Sequence, residues 1–309
     1  MMRPYISVPA TCWQFGWADN IRPCTQEETT RFGFKKKEPE QTPDNKQFKE
    51  LAAQYLPGEL TLLAVTGANG FGGGKVGKEK LWRASIGLTA WMEEDSPDIH
   101  RGEFVLSTIA DDKLLEHLQR RVRPDFIIKF KGRVAEDGRR LLLLDLPEPA
   151  FDPDLKAILE EQKKPVTFWE EGLGTFTLNR QVDWFETELD WLGAEISLVF
   201  DQDENRADCV MNAKALLADA AGWDRRVREY AADELLELAN DWSQDMDEDG
   251  GAVEVTREQF VERMELESIE VRADGSFQFW FGDGDLFYGH SIWVSGDLEN
   301  GPNDAAMEG

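Results

Sequence analysis

The chain has little cysteine, little histidine and no long apolar run. Only 3 cysteines, Cys12, Cys24 and Cys209, stand in 309 residues. They are too few and too scattered for a disulfide framework, and Cys12 and Cys24 lack the Cys-x-x-Cys spacing of a zinc knuckle. Reduced thiols in a cytoplasmic protein are the expectation. No segment approaches the ~20 consecutive apolar residues that cross a bilayer. The first residues, MMRPYISVPATCWQFGW, hold no apolar stretch of signal-peptide length. No membrane partner is expected.

Positive charge is what the second part lacks. Residues 171–309 carry 34 Asp+Glu against 9 Lys+Arg, a net of −25, and Lys214 is their single lysine. Residues 1–170 carry 27 acids against 25 bases, which accounts for the remaining −2 of the total −27. A split this sharp argues for two modules, and the field of the second repels nucleic acid while favouring encounter with basic partners.

Aromatic residues are abundant. With 41% hydrophobic residues, 11 Trp and 18 Phe, the chain can fill two cores, which excludes wholesale disorder. Trp13, Phe15 and Trp17, then Lys35, Lys36 and Lys37, mark a mixed and irregular beginning. Regular structure starts near Leu60 with an apolar run to Val65 and a glycine-rich loop over residues 67–77. Residues 80–92 and 103–109 read as strands. Asp111 and Asp112 offer an N-cap for a helix over 112–122, where Leu114, Leu115 and Leu118 form one stripe. Two further strands, 126–134 and 139–146, flank an Asp137-Gly138 turn. Pro147, Pro149 and Pro153 mark a boundary, followed by a short helix over 154–163.

In the acidic part, Phe185, Thr187, Leu189 and Trp191 alternate with acids, and Ile196, Leu198 and Phe200 repeat the pattern beyond Leu192-Gly193. This is a half-buried hairpin. Residues 207–242 read as helical and broken at Gly222, and 256–264 as a third helix. Strands at 267–273 and 276–281, joined by Asp274-Gly275, and at 291–296 before a short tail complete the pattern. The expected fold class is α+β: a small antiparallel β-barrel or sheet, then an antiparallel sheet with helices packed on one face. The segments are an irregular arm (1–57), a β-rich domain (58–150), a linker with a short helix (151–167) and an acidic α+β domain (168–309).

Three motifs suggest chemistry. Thr66-Gly67-Ala68-Asn69-Gly70-Phe71-Gly72-Gly73 has the glycine spacing of extended short-chain dehydrogenases. No helical period follows it, and no acidic residue stands where a ribose partner is needed. Nor does it meet the phosphate-loop pattern, because Asn69 and Val76 replace the required Gly and Ser/Thr. A hairpin-type loop is the reading, and no cofactor is expected. Asp245-Met246-Asp247-Glu248-Asp249-Gly250 matches the first half of a calcium loop, but Thr256 stands where the bidentate Glu belongs. Asp283 and Asp285 precede His290, the one histidine of the acidic part. They could orient it as a base or hold a metal, although no second histidine or nearby cysteine completes a transition-metal shell. Gly-Asp-Gly-Asp is equally turn chemistry.

Residues 173–200, LGTFTLNRQVDWFETELDWLGAEISLVF, and 266–296, LESIEVRADGSFQFWFGDGDLFYGHSIWVSG, resemble the bacterial family called domain of unknown function 2262. The N-terminal module resembles the smaller β-rich domain that can precede it. The resemblance implies a bacterial protein and singles out Asp183, Trp184, Asp285, Gly289, His290 and Gly296, with no catalytic role for any of them. Two functions follow as expectations. One is a protein-binding or regulatory module of the immunity type, taking a basic protein partner, with Asp183, Trp184, Tyr288 and Trp293 as candidate binding positions. The other is a metal-assisted or acid–base hydrolase using Asp283, Asp285 and His290.

Overall fold

The computed structural model describes residues 46–75, 77–246 and 254–309. Cys12, Cys24, the aromatic patch, the Lys35–Lys37 run and the acidic loop beyond Met246 lie outside the described residues. What is described forms two sheets, each with its own hydrophobic interior.

Helix α1 (Lys46–Ala52) comes first, followed by β1 (Leu60–Thr66), β2 (Gly72–Gly74), β3 (Trp82–Glu93), β4 (His100–Ala110) and α2 (Asp112–Arg121). Then come β5 (Ile127–Val134), β6 (Arg140–Leu143), β7 (Glu148–Pro149) and α3 (Pro153–Gln162). The strands run in the order β1-β3-β4-β6-β5, and β5 pairs back onto β1, closing a small barrel. Alternation along β1 explains both of its sides. Leu62 and Ala64 face a core shared with Leu106, Leu141 and the α2 leucines 114, 115 and 118. Leu63 and Val65 face outward, where Leu155, Ile158 and Leu159 of α3 cover them.

The stretch read as a linker helix is therefore part of the barrel's packing. Asp152 caps it, accepting from Asp154 N and Leu155 N, and Pro153 pre-sets its first turn. The arm is likewise not irregular to residue 57. The helix at 46–52 places Phe48, Leu51 and Ala52, with Tyr55, against Ala135 and Leu142. The glycine loop forms β2, which pairs with β3, and the next helix begins only at Asp112.

The second sheet holds β8 (Thr167–Glu170), β9 (Gly174–Asn179), β10 (Trp184–Trp191) and β11 (Ala194–Asp201). Helices α4 (Arg206–Ala218), α5 (Ala220–Met246) and α6 (Arg257–Arg263) intervene before β12 (Glu265–Val271), β13 (Ser276–Gly282), β14 (Ser291–Asp297) and β15 (Gly301–Glu308). The strands lie side by side in chain order from β8 to β15. The β10–β11 hairpin has the expected register, Phe185 opposite Phe200 and Trp191 opposite Ala194. Its turn places Leu192 at φ 56° and Gly193 at φ 93°, the positive-φ pair that suits a twisted two-residue hairpin.

The sheet departs from the sequence reading in four places. The β8–β9 hairpin precedes the first strand expected. The pairing of β11 with β12 is parallel, as is that of β4 with β6 in the barrel, so each sheet is antiparallel apart from one pair. The long helical crossover between β11 and β12 is the kind of connection that permits this. The helix break falls at Asp219, not Gly222. Gly222 sits in the first turn of α5, where a Cβ would lie 2.5 Å from Asp219 Oδ1. Finally, the tail after residue 296 is an edge strand, β15, paired along β14 from Ser291–Glu308 to Asp297–Gly301.

One core fills the space between sheet and helices. Phe277, Phe279, Phe281, Ile292 and Val294 meet Trp223, Val227, Ala231 and Leu235 of α5 and Phe260 of α6. Trp191 sits edge-on to Phe279 at 5.7 Å and Trp223 edge-on to Phe277 at 5.2 Å. Each such aromatic contributes roughly 1.5–3 kcal/mol by burial. Among the described residues, no helix is long and apolar enough to cross a membrane.

Candidate functional site

The loop between β13 and β14 carries the three residues singled out for chemistry. It turns through four left-handed positions, Gly284 (φ 53°), Asp285 (φ 64°), Tyr288 (φ 56°) and Gly289 (φ 95°). Asp283 is buried at its centre. One carboxylate oxygen accepts from Phe287 N at 2.6 Å and Gly289 N at 3.1 Å, and the other from Asp285 N at 3.2 Å. The loop thereby holds Leu286 and Phe287 in the core, with Phe287 edge-on to Trp242 at 5.9 Å.

His290 is tied elsewhere. Its ring lies edge-on to Trp242 at 5.2 Å, and Nδ1 is 2.6 Å from Phe287 O, so Nδ1–H donates to that carbonyl. Neither Asp283 nor Asp285 hydrogen-bonds to the ring, and the Asp285 side chain is exposed. Among the described residues, no group of three or more His, Cys, Asp or Glu is arranged to hold a metal ion.

The sheet's other face presents a different surface. Because strand side chains alternate, placing Phe185, Thr187 and Trp191 in the interior puts Trp184, Glu186, Glu188 and Asp190 on the opposite side. Trp169 of β8 lies opposite Thr175, and Glu195 opposite Asp190. Trp169 is 68% exposed and Trp184 37%. Asn179 Nδ2 approaches the Glu186 carboxylate at 3.3 Å, and Gly193 N donates to Asp190 at 3.2 Å. No lysine or arginine among the described residues pairs with Glu186, Glu188, Asp190 or Glu195. Several bases of the acidic part are engaged with other acids, Lys214 with Glu170, Arg226 with Asp219, Arg228 with Asp224, Arg257 with Asp233 and Arg272 with Glu270, while Arg206 lies over the Phe168 ring.

Farther across the same face, Ser197 aligns with Ser268, Ser268 with Trp280, and Trp280 with Trp293. The turns at this end are closed by carboxyls held below their usual range. The Ser276 hydroxyl and backbone N–H bond Asp274, and the backbone N–H of Asn300 bonds Asp297.

Of the candidate binding positions, Trp184 and Trp293 share this face. Tyr288 stands apart on the β13–β14 loop, 51% exposed. Asp183 occupies a left-handed position (φ 59°) in the β9–β10 turn, where its carbonyl accepts from Gln202 N at 2.8 Å. Backbone geometry accounts for several of the residues the resemblance singled out. Asp183, Asp285 and Gly289 hold positive φ, and a Cβ on Gly296 would lie 2.7 Å from Pro302 Cα and 2.8 Å from Phe277 Cζ. Trp169, Glu186, Glu188, Trp280 and Asn303 were not singled out by sequence. For Glu186 and Glu188 the signal was present, because the alternation that buries Phe185 turns them outward.

A polar tie links the two sheets. Arg180, after β9, pairs with Asp125 at 3.0 and 3.3 Å. Gln162, the last residue of α3, donates to Asp125 at 2.7 Å and to Thr66 O at 2.9 Å. Asn69 of the glycine loop donates to Gln181 O at 3.0 Å.

Comparison with known families matches residues 170–307 to the model described as "Uncharacterized protein conserved in bacteria (DUF2262)" and residues 47–162 to "Domain of unknown function (DUF7021)". No curated protein and no solved structure matches.

Proposed function

We propose that this chain, a DUF7021 region followed by a DUF2262 region, is a binding protein that receives a basic protein partner on the acidic, tryptophan-bearing face of its second sheet. The observation that carries this reading is the group Glu186, Glu188, Asp190 and Glu195, unpaired with any described base and flanked by the exposed Trp169 and Trp184. Charge of one sign on a rigid surface speeds encounter with the opposite sign, and an exposed indole beside it gives an arginine or lysine a face to stack on. A regulatory or immunity-type role is the biological form this binding would take. The hydrolase reading gains no support from the loop, since the Asp283 carboxylate is committed to backbone N–H groups and His290 to a carbonyl.

The test is capture from native extract at about 50 mM and about 500 mM salt, where screening shortens the reach of exposed charges several-fold. The parent protein is compared with a folded Trp184→Ala/Glu186→Lys/Glu188→Lys variant. A basic protein retained at low salt, released at high salt and lost with the variant supports the reading. The same proteins bound by both, or nothing basic retained, overturns it.

A further inference from the structure

The far end of the same face carries a second kind of surface. Around Trp293 the sheet is hollowed into a groove of about 350 Å³, lined by Arg272, Ser276, Gln278, Ser295 and Asn303. That volume lies at the small end of the ~300–1,000 Å³ range of small-molecule sites. Its chemistry differs from that of the hairpin end. The one cationic lining side chain, Arg272, is neutralised by Glu270 at 3.0 Å, and no carboxylate lines the hollow.

What the groove offers is a half-buried indole and polar groups without partners. The side chains of Gln278, Ser295 and Asn303 make no hydrogen bond with another described residue, and Ser276 Oγ donates to Asp274 at 2.7 Å with its acceptor lone pairs left over. Cross-strand register fixes their spacing. Gln278 lies opposite Ser295, Ser295 opposite Asp304, and Trp280 opposite Trp293, so amide, hydroxyl and indole sit on adjacent strands of one rigid sheet. A neutral ring with hydroxyls around its edge and C–H groups on its face matches this set, its face stacking on the indole while its hydroxyls meet the amides and serines. We infer that the Trp293 groove is a binding site for a neutral sugar ring, separate from the acidic surface proposed for a protein partner.

The inference stands or falls on direct titration. Tryptophan fluorescence and calorimetry would follow binding of glucose, N-acetylglucosamine, maltotriose, cellotriose and chitotriose to the full chain. Saturable binding of at least one is expected, unchanged by salt because the ligand is uncharged. Trp293→Ala and the milder Asn303→Ala, which removes an exposed amide, should each weaken it by about tenfold or more, while Trp293→Phe keeps the aromatic platform and most of the affinity. Glu186→Lys/Glu188→Lys should leave it intact, which separates this site from the acidic end. Saturation by none of the five sugars, or binding indifferent to both Trp293→Ala and Asn303→Ala, overturns the inference.

Discussion

Replacing Asp283 by alanine should damage the fold of the second sheet more than any catalytic account of this residue allows. The substitution leaves the N–H groups of Asp285, Phe287 and Gly289 without their acceptor. Asp285 and Gly289 are exposed and can turn their N–H groups toward water, so the buried Phe287 donor dominates. A hydrogen bond to a charged acceptor is worth about 1.5–3 kcal/mol, and a buried donor left alone forfeits a comparable amount. Two pairs of positions, Gly284–Asp285 and Tyr288–Gly289, also lose the tie that holds them in left-handed conformations around the buried Phe287. The expected loss is roughly 3–5 kcal/mol, at the upper end for a single substitution. With a urea slope of about 1–3 kcal/mol per molar, the midpoint should fall by at least about 1 M. Urea unfolding followed by tryptophan fluorescence reads this directly. Asp283→Asn keeps one acceptor oxygen and should fall between alanine and the parent. Asp285→Asn should stay within about 0.5 kcal/mol, because asparagine tolerates a left-handed backbone and the side chain is exposed. An Asp283→Ala protein within about 1 kcal/mol of the parent would refute the reasoning.

Three further outcomes follow from the same geometry. Gly296→Ala would drive a methyl into Pro302 and Phe277, so it should peel β15 from β14, visible as rapid amide exchange confined to residues 301–308. Burial, reinforced by the nearby Glu204 carboxylate, pushes the Cys209 thiol from 9.0 up to about 12. Since the folded value is the higher one, its contribution is complete below pH 9 and is lost as pH rises toward 12, by about 1.4 kcal/mol per unit. Cys209→Ala should abolish that part of the alkaline slope, and a thiol reagent should label Cys209 only as fast as the second sheet opens. Arg180→Ala removes the bidentate pair with Asp125, worth roughly 1 kcal/mol for groups about a quarter exposed. Trypsin cleavage after the exposed Lys163 should then accelerate several-fold, and an unchanged rate would show that the tie does not hold the junction.

Residues 185–200 show how far sequence carries. Phe185, Thr187 and Trp191 on one side, Ile196, Leu198 and Phe200 on the other, and Leu192-Gly193 between them determine the hairpin, its register and its buried face. All of that information is local, because side chains two apart share a face and the turn fixes the pairing. The same holds for α2, with its Asp111 cap and leucine stripe, and for the alternation Phe277, Phe279, Phe281. The charge split was equally a property of the sequence alone.

What the sequence left open depends on contacts between distant residues. Gly301–Glu308 has neither aromatic nor β-branched residues, and it becomes a strand because β14 presents a free edge and α5 a surface beside it. The parallel pairing of β11 with β12 arises because the helices from Arg206 to Arg263 must cross the sheet and return on the same side. Helix α3 reads as a connector until the barrel's outer face supplies Leu63 and Val65 for its leucines to cover. Only the folded sheet shows that the Asp283 carboxylate closes on its own loop and that four tryptophans, at 169, 184, 280 and 293, share one face. Periodicity states which side chains lie together along a strand, whereas the neighbour that a strand or a carboxylate finds is settled by the assembled structure around it.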